Sequence, residues 1–267
     1  MNAPIKIRAS SLGELFDCPK RWHAKHILKK RTPSSPAARL GHSIHAGTEA
    51  FDAARLSGEP ISADDAAQAL IERLYGIDEE IDWEDVDPRS LESIALSLLT
   101  QYCQDIAPQM NYKFVELACR DLHLTDLGLI LTGTIDRVYE NDNAELGIAD
   151  LKSGATAVSA DYTVKTAGHV AQLGMYTLLA EQSLEAEVTA PALIIGMQTG
   201  KTIKAQRVAI GAITDPKSIL VGDEYTGGLL ENAAKIIHAG AFYGNPKSML
   251  CSAKFCPAHS TCKYKGD

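Results

Sequence analysis

Two aspartates and a lysine stand where they could support hydrolysis: Asp136 in Gly133-Thr-Ile-Asp136, and Asp150 and Lys152 in Ile148-Ala-Asp150-Leu-Lys152-Ser-Gly154. Side chains alternate along a strand, so Asp150 and Lys152 face one side, and an antiparallel neighbour can bring Asp136 opposite them. Two converging carboxylates make a hard oxygen site suited to Mg²⁺ or Mn²⁺. A lysine beside them can orient or help deprotonate a water while neutralising a phosphoryl oxygen. That is the minimum equipment for phosphodiester hydrolysis. The same D-x-K spacing on a solvated hairpin end would do nothing, so its weight comes from context. Glu116 lies on the preceding strand, Gln172 and Tyr176 lie one turn apart on the helix that follows, and His45 precedes the whole core on its own helix.

The elements that must position these groups are legible in part. Ser11-Leu-Gly-Glu14 has capping-box spacing ahead of apolar residues at helical intervals, which predicts an N-terminal helix broken near Pro19. Residues 32–36 read as a linker, and Leu40 to Leu56 mark a second helix with His45 and Glu49 on one face. Two more helices are expected, one from near Ser62 and one after Pro88. From Tyr112 the pattern changes to strands: 113–124, 129–139 and 145–151 form an antiparallel meander with turn-rich joints. A helix of about twenty residues from Tyr162 follows, then strands 192–198 and 202–210, and a last helix within 216–241. The expected organisation is one integrated α+β unit: a helical region over 1–110, a core sheet and helix over 111–212, and a C-terminal helix and cysteine tail over 213–267.

In this order and at these intervals, Gly41-His-Ser-Ile-His45, Gly133-Thr-Ile-Asp136, Asp150-Leu-Lys152-Ser-Gly154 and Gln172-Leu-Gly-Met-Tyr176 resemble the PD-(D/E)XK nuclease superfamily. The likeness is to the RecB-like branch of helicase-associated nuclease domains, phage recombination exonucleases and CRISPR spacer-acquisition nucleases, and it runs over roughly residues 10 to 265. It implies a restriction-endonuclease-like core, a mixed sheet flanked by helices. It implies that His45, Asp136, Asp150 and the backbone carbonyl of Leu151 hold Mg²⁺ or Mn²⁺ and that Lys152 positions the attacking water. Gln172 and Tyr176 would contact the DNA backbone or steady the site, and Glu116 would support it.

Polar and charged residues through the first thirty positions lead to the expectation of a cytosolic chain, in which six cysteines read as metal or packing residues rather than a disulfide framework. Cys251, Cys256 and Cys262 crowd the tail, and Cys18 sits far upstream. Thiolates in fours hold either tetrahedral zinc or an iron–sulfur cluster. The family resemblance implies a [4Fe-4S] cluster on Cys18, Cys251, Cys256 and Cys262. A local zinc site of Cys251, Cys256, His259 and Cys262 is the rival, and unligated thiols a third reading. Cys103 and Cys119 sit in apolar settings and are expected to pack.

The composition, 267 residues with 45% hydrophobic and 22% charged, excludes disorder, and no apolar run approaches a membrane span. The net charge of −8 hides an asymmetry. Residues 1–31 carry eight Lys/Arg against two acids, whereas residues 59–105 carry thirteen acids against two Arg. Lys20, Arg21 and Lys25 are therefore candidate DNA contacts, with Trp22 either stacking or core. Gly196-Met-Gln-Thr-Gly200-Lys-Thr202 looks like a phosphate loop, but three residues separate its glycines where a Walker A motif has four. It is read as a hairpin turn with Gly200 supplying a special backbone angle, so no nucleotide is expected. The overall expectation is a cytoplasmic, bacterial or phage-encoded Mg²⁺- or Mn²⁺-dependent DNA exonuclease for phage-type recombination or end processing. It could work with a single-strand annealing protein or helicase. A CRISPR spacer-processing nuclease and a catalytically silent DNA-binding scaffold are the alternatives.

Overall fold

The structure, a computed structural model, describes residues 3–265. The chain enters through strand β1 (Ile5–Arg8) and two short helices, α1 (Leu12–Asp17) and α2 (Pro19–Trp22). They part at Cys18, which is extended at φ −150° and ψ 92° because a residue before proline is driven out of the α region. The capping box expected at Ser11 does not form. Ser11 Oγ donates to the Arg8 carbonyl at 2.9 Å, and Glu14 turns instead to Arg21, Lys25 and His26, since charge-assisted bonds outweigh a neutral cap.

Helix α3 (Pro36–Ser57) is delimited by its own residues. Ser35 accepts from the Ala38 N–H, Pro36 opens the first turn, and Gly58 closes the helix at φ 75°. Ser62 and Asp65 make a reciprocal capping box on α4 (Ala63–Tyr75), and Asp87 caps α5 (Pro88–Gln101). The last runs into a π-helical turn over Tyr102–Ile106. Apart from β1, the first hundred residues carry helices.

The strands are β2 (Tyr112–Ala118), β3 (Leu122–Leu124), β4 (Leu129–Thr132), β5 (Thr134–Glu140), β6 (Leu146–Gly154), β7 (Ala192–Gln198) and β8 (Arg207–Ile213). Helix α6 (Val170–Leu184) joins β6 to β7, and α7 (Leu229–His238) follows β8. Two sheets result, β1-β4-β3 and the mixed β2-β5-β6-β7-β8, in which only β6 and β7 run parallel. The fold is α+β, with the mixed sheet flanked by helices. One core lies between it and α1, α6 and α7; the other packs α3, α4 and α5 on the opposite face.

Several limits differ from expectation. Strand 113–124 divides between the two sheets, and 129–139 breaks at Gly133 for the same reason, so β2-β5-β6 is the actual meander. Helix α6 starts at Val170, not Tyr162, and α7 is ten residues long. Residues 196–198 end β7 and the hairpin loop runs over 199–206, so the strand expected at 202–210 starts at Arg207; Gly200 does not have positive φ, and a side chain there would strike Ala205.

Arg39, fully buried in the first turns of α3, donates to Asp78 at 2.8 Å, Glu79 at 3.1 Å and the Leu74 carbonyl at 3.2 Å. Part of the acidic stretch thus clamps the helix that carries His45. Arg39→Met should lower the unfolding free energy in urea by roughly 1–3 kcal/mol, less than a fully buried pair would lose, because both acids can turn to water.

Candidate active site

The register of β5 against β6 builds the site. Arg137 pairs with Ala149 and Val138 with Ile148, so Asp136 arrives at the level of Asp150, at the end of the β5–β6 ladder. Asp136 is further fixed by its Oδ2, which accepts the Leu151 N–H at 2.8 Å. From α3, His45 Nε2 meets the Leu151 carbonyl at 3.1 Å and its Nδ1 stands 3.7 Å from Asp136 Oδ2. With the Nε2 proton given to that carbonyl, Nδ1 presents a lone pair to the carboxylate. Burial also holds the imidazole below its ordinary pKa, against the opposing charge of Asp136. Two acceptors facing one another ask for a cation between them.

Glu116 completes that group. Ligand atoms of His45, Glu116 and Asp136 lie within 4.8 Å of one another, a set found nowhere else among the described residues. Two carboxylates and an imidazole suit a hard divalent cation. The tight trio thus contains Glu116, expected only in support, rather than Asp150. Burial, then the neighbouring Asp136 charge, pushes the Glu116 carboxyl up to about 7.

Asp150 and Lys152 sit beside the trio on β6. The Lys152 ammonium pairs with Asp150 Oδ2, and Gln172 Nε2 donates to Asp150 Oδ1 at 3.2 Å. Burial raises the Asp150 carboxyl to about 6 even with Lys152 opposing. Tyr176, one turn beyond Gln172, lays its ring on Gly133, where a Cβ would stand 2.8 Å from the ring. Gly133 is thus the close approach that lets α6 reach the β4–β5 break. All seven of these side chains line one cavity.

Three residues at the site carried no expectation. Arg137 is buried beside Asp136 and bonds Asp52 of α3, and His169 lies just ahead of α6 on a groove shared with Lys152 and Gln172. Burial, then Lys152, lowers the His169 pKa to about 4. Arg137 and Asp52 left one signal in the sequence: charges inside otherwise apolar runs.

Cys18, Cys251, Cys256 and Cys262 line one pocket together with His259. Among the described residues, no three of these present ligand atoms all within 4.8 Å of one another. Cys103 is buried and Cys119 half-buried, with burial raising both thiol pKa values.

Of the basic candidates, Lys25 lines the groove beside Lys152, and half-buried Lys20 borders the cysteine pocket. Arg21 corrects the expectation of a DNA contact. It is 3% exposed and spends its donors on Glu14 at 2.8 Å, Asp17 at 3.0 Å and Ser248 at 3.1 Å. It ties the tail to the first helices. Trp22 is fully buried, hence core.

Residues 7–263 match the family model of the PD-(D/E)XK nuclease superfamily, and the chain belongs to that superfamily. It is accordingly a metal-dependent nuclease, a hydrolase for which the family implies DNA as substrate. Among solved structures, one described as "Crystal structure of SSO0001" is similar at 14% identity and a TM-score of 0.45, over 100% of this chain and 90% of that one. No curated protein matches the chain. No described helix is long and apolar enough to cross a membrane.

Glu116 predicts a pH effect. Its carboxyl titrates at an ordinary 4.5 when unfolded and at about 7 when folded. The cost of its buried charge is therefore absent below the lower value and complete above the upper one. In the presence of chelator, Glu116→Gln should stabilise the protein by on the order of 1–2 kcal/mol near pH 8, a figure reduced for partial exposure, and by far less near pH 5. Thermal melts at the two pH values check this.

Proposed function

We propose that the protein is a Mg²⁺- or Mn²⁺-dependent deoxyribonuclease that degrades DNA from ends. The observation that carries the reading is the His45–Glu116–Asp136 trio standing beside an intact Asp150–Lys152 pair. In this reading His45, Asp136 and Asp150 hold the cation, with the Leu151 carbonyl beside them and Glu116 as a further oxygen. The bound cation supplies charge stabilisation and a more acidic water. Lys152 orients that water and meets a phosphoryl oxygen, while Gln172 holds Asp150 and Tyr176 closes the floor of the cavity.

A groove of about 760 Å³ leads away from Lys152 and Gln172, past Lys25, Lys30, Arg31 and Lys254. Bases outnumber the acids Glu14, Asp17 and Asp82 in its lining, although Lys25 pairs with Glu14 and Lys254 with Glu84, and that balance suits a polyanionic strand that extends beyond the cleaved bond. End-directed action in phage-type recombination or DNA end processing rests on the likeness of the motifs to phage recombination exonucleases. A CRISPR spacer-processing role would use the same chemistry with an integration partner. A silent scaffold would have no use for a complete acid and lysine set.

For the tail we propose a [4Fe-4S] cluster on Cys18, Cys251, Cys256 and Cys262. What supports it is the pocket that all four share although Cys18 lies more than two hundred residues upstream of the others. Its place is structural: it sits where Arg21, Asp17 and Asn245 already join the first helices to the tail.

Two outcomes are expected. End-labelled DNA incubated with Mg²⁺ or Mn²⁺ should be shortened by the parent, while Asp150→Ala and Lys152→Ala lose at least about a hundredfold in rate yet keep a cooperative melt. Near-normal turnover in either variant contradicts the assignment. Anaerobically purified protein should be brown and contain iron and sulfide, with lower stability after Cys18→Ser. One zinc per chain, retained in Cys18→Ser and lost in His259→Ala, would decide for the local zinc site.

A further inference from the structure

Arg137 and Asp52 form a buried ion pair that none of the chemistry above uses. Arg137 is 1% exposed on β5 and Asp52 is 1% exposed on α3, two turns along the helix from His45. A guanidinium whose task is only to join helix to strand would be expected to grip its carboxylate with two parallel bonds. Arg137 does not. Its Nε donates to Asp52 Oδ2 at 2.7 Å, leaving both Asp52 Oδ1 and its own Nη2 without a partner. Its Nη1 reaches the other way, to the Asp136 carbonyl at 2.7 Å and to Glu116 Oε1 at 3.3 Å.

The guanidinium is held firmly in that split arrangement. Tyr102 OH donates to Asp52 Oδ2 at 2.5 Å and lies 3.0 Å from Tyr112 OH, and Arg137 sits over the Tyr112 ring at 5.9 Å. Glu116 is meanwhile constrained from its own backbone. It has φ +50° within β2, a left-handed conformation that a residue with a Cβ adopts at a cost and keeps only when its surroundings impose it. Two independent features, a left-handed backbone and a buried arginine, thus act on the same carboxylate. Both work against a real opposing force, the like charge of Asp136 in the same trio, which would otherwise turn Glu116 away.

We infer that Arg137, anchored by Asp52, is a positioning residue that holds Glu116 against Asp136, so that Glu116 serves as a standing oxygen of the cation site. The inference rests on the nuclease reading of that site and extends it to a residue that touches neither DNA nor metal. It explains why the pair is kept where an apolar pair would fill the same space. It also explains why α3, which brings His45, is fastened to β5, which brings Asp136.

The test is a double-mutant cycle read by Mn²⁺ affinity, using electron paramagnetic resonance of free Mn²⁺ on the full-length protein without DNA. Arg137→Lys keeps the charge beside Asp52 but cannot span both carboxylates, and it should weaken Mn²⁺ binding by about tenfold, as loss of a group supporting a ligand does. In a Glu116→Gln background the same change should alter affinity by less than about twofold, because the group it positions is no longer a carboxylate. Asp52→Asn should follow the same pattern and serves if Arg137→Lys does not fold. Parent-like affinity in Arg137→Lys or Asp52→Asn, or an equal loss in both backgrounds, would overturn the inference and leave the nuclease reading standing. A parent protein that binds no Mn²⁺ would remove both.

Discussion

The antiparallel register of β5 against β6 is the constraint on which the rest of the molecule depends. Arg137 opposite Ala149 puts Asp136 level with Asp150 and lets the Asp136 carboxylate take the Leu151 N–H. A slip of one residue would send every acid to the wrong face. The register is defended on both sides of the sheet: Ile148 lies in one core, while Ala149 and Leu151 lie in the other. Apolar alternation thus fixes the positions of Asp136 and Asp150, two carboxylates that would repel one another if placed by their own interactions alone.

Around that ladder, distant segments are brought in by separate means. Helix α3 is clamped at its start by Arg39 and farther along by Asp52, with His45 between the two ion pairs. Helix α6 is set by the approach of Tyr176 to Gly133 and by Gln172 on Asp150. The N-terminal helices and the tail meet through Arg21, Asp17 and Ser248, and Trp22 stacks near Phe242 at 6.3 Å. The cysteine pocket and the groove that leads to Lys152 share Arg21 and Leu250 in their linings. A polar joint of this kind is stable only when its charges are matched, and Glu14 shows the matching: three basic partners hold its carboxyl at about 2 despite burial.

Much of this could be read from residue types. Ser35, Ser62 and Asp87 announce helix starts by local chemistry, and the apolar strands announce themselves by period, so those elements appear near their expected places. The failures have a common cause in tertiary demand. The strand running over 129–139 divides because Gly133 gives way to Tyr176, a partner more than forty residues away. The Ser11 box is lost because Glu14 has charged partners from the next turn of chain. Arg21 reads as a solvent-facing cation from spacing alone, since nothing local reveals that Asp17, Glu14 and Ser248 enclose it. At the site, the spacing of Asp136, Asp150 and Lys152 is a property of one hairpin and was legible. The closeness of Glu116 to His45 involves a left-handed backbone angle with no signature in the sequence, and Arg137 shows there only as a charge inside an apolar run.

The central claim is that His45, Asp136 and Asp150, with Glu116 as a further oxygen, form the seat of a divalent cation beside Lys152. It is met most directly by the anomalous scattering of crystals of the protein soaked in Mn²⁺. The account predicts a single strong peak lying between the His45 imidazole and the carboxylates of Asp136, Asp150 and Glu116, at roughly 2.0–2.5 Å from the ligand atoms. A peak elsewhere on the chain, or none in this cavity at saturating Mn²⁺, would contradict it.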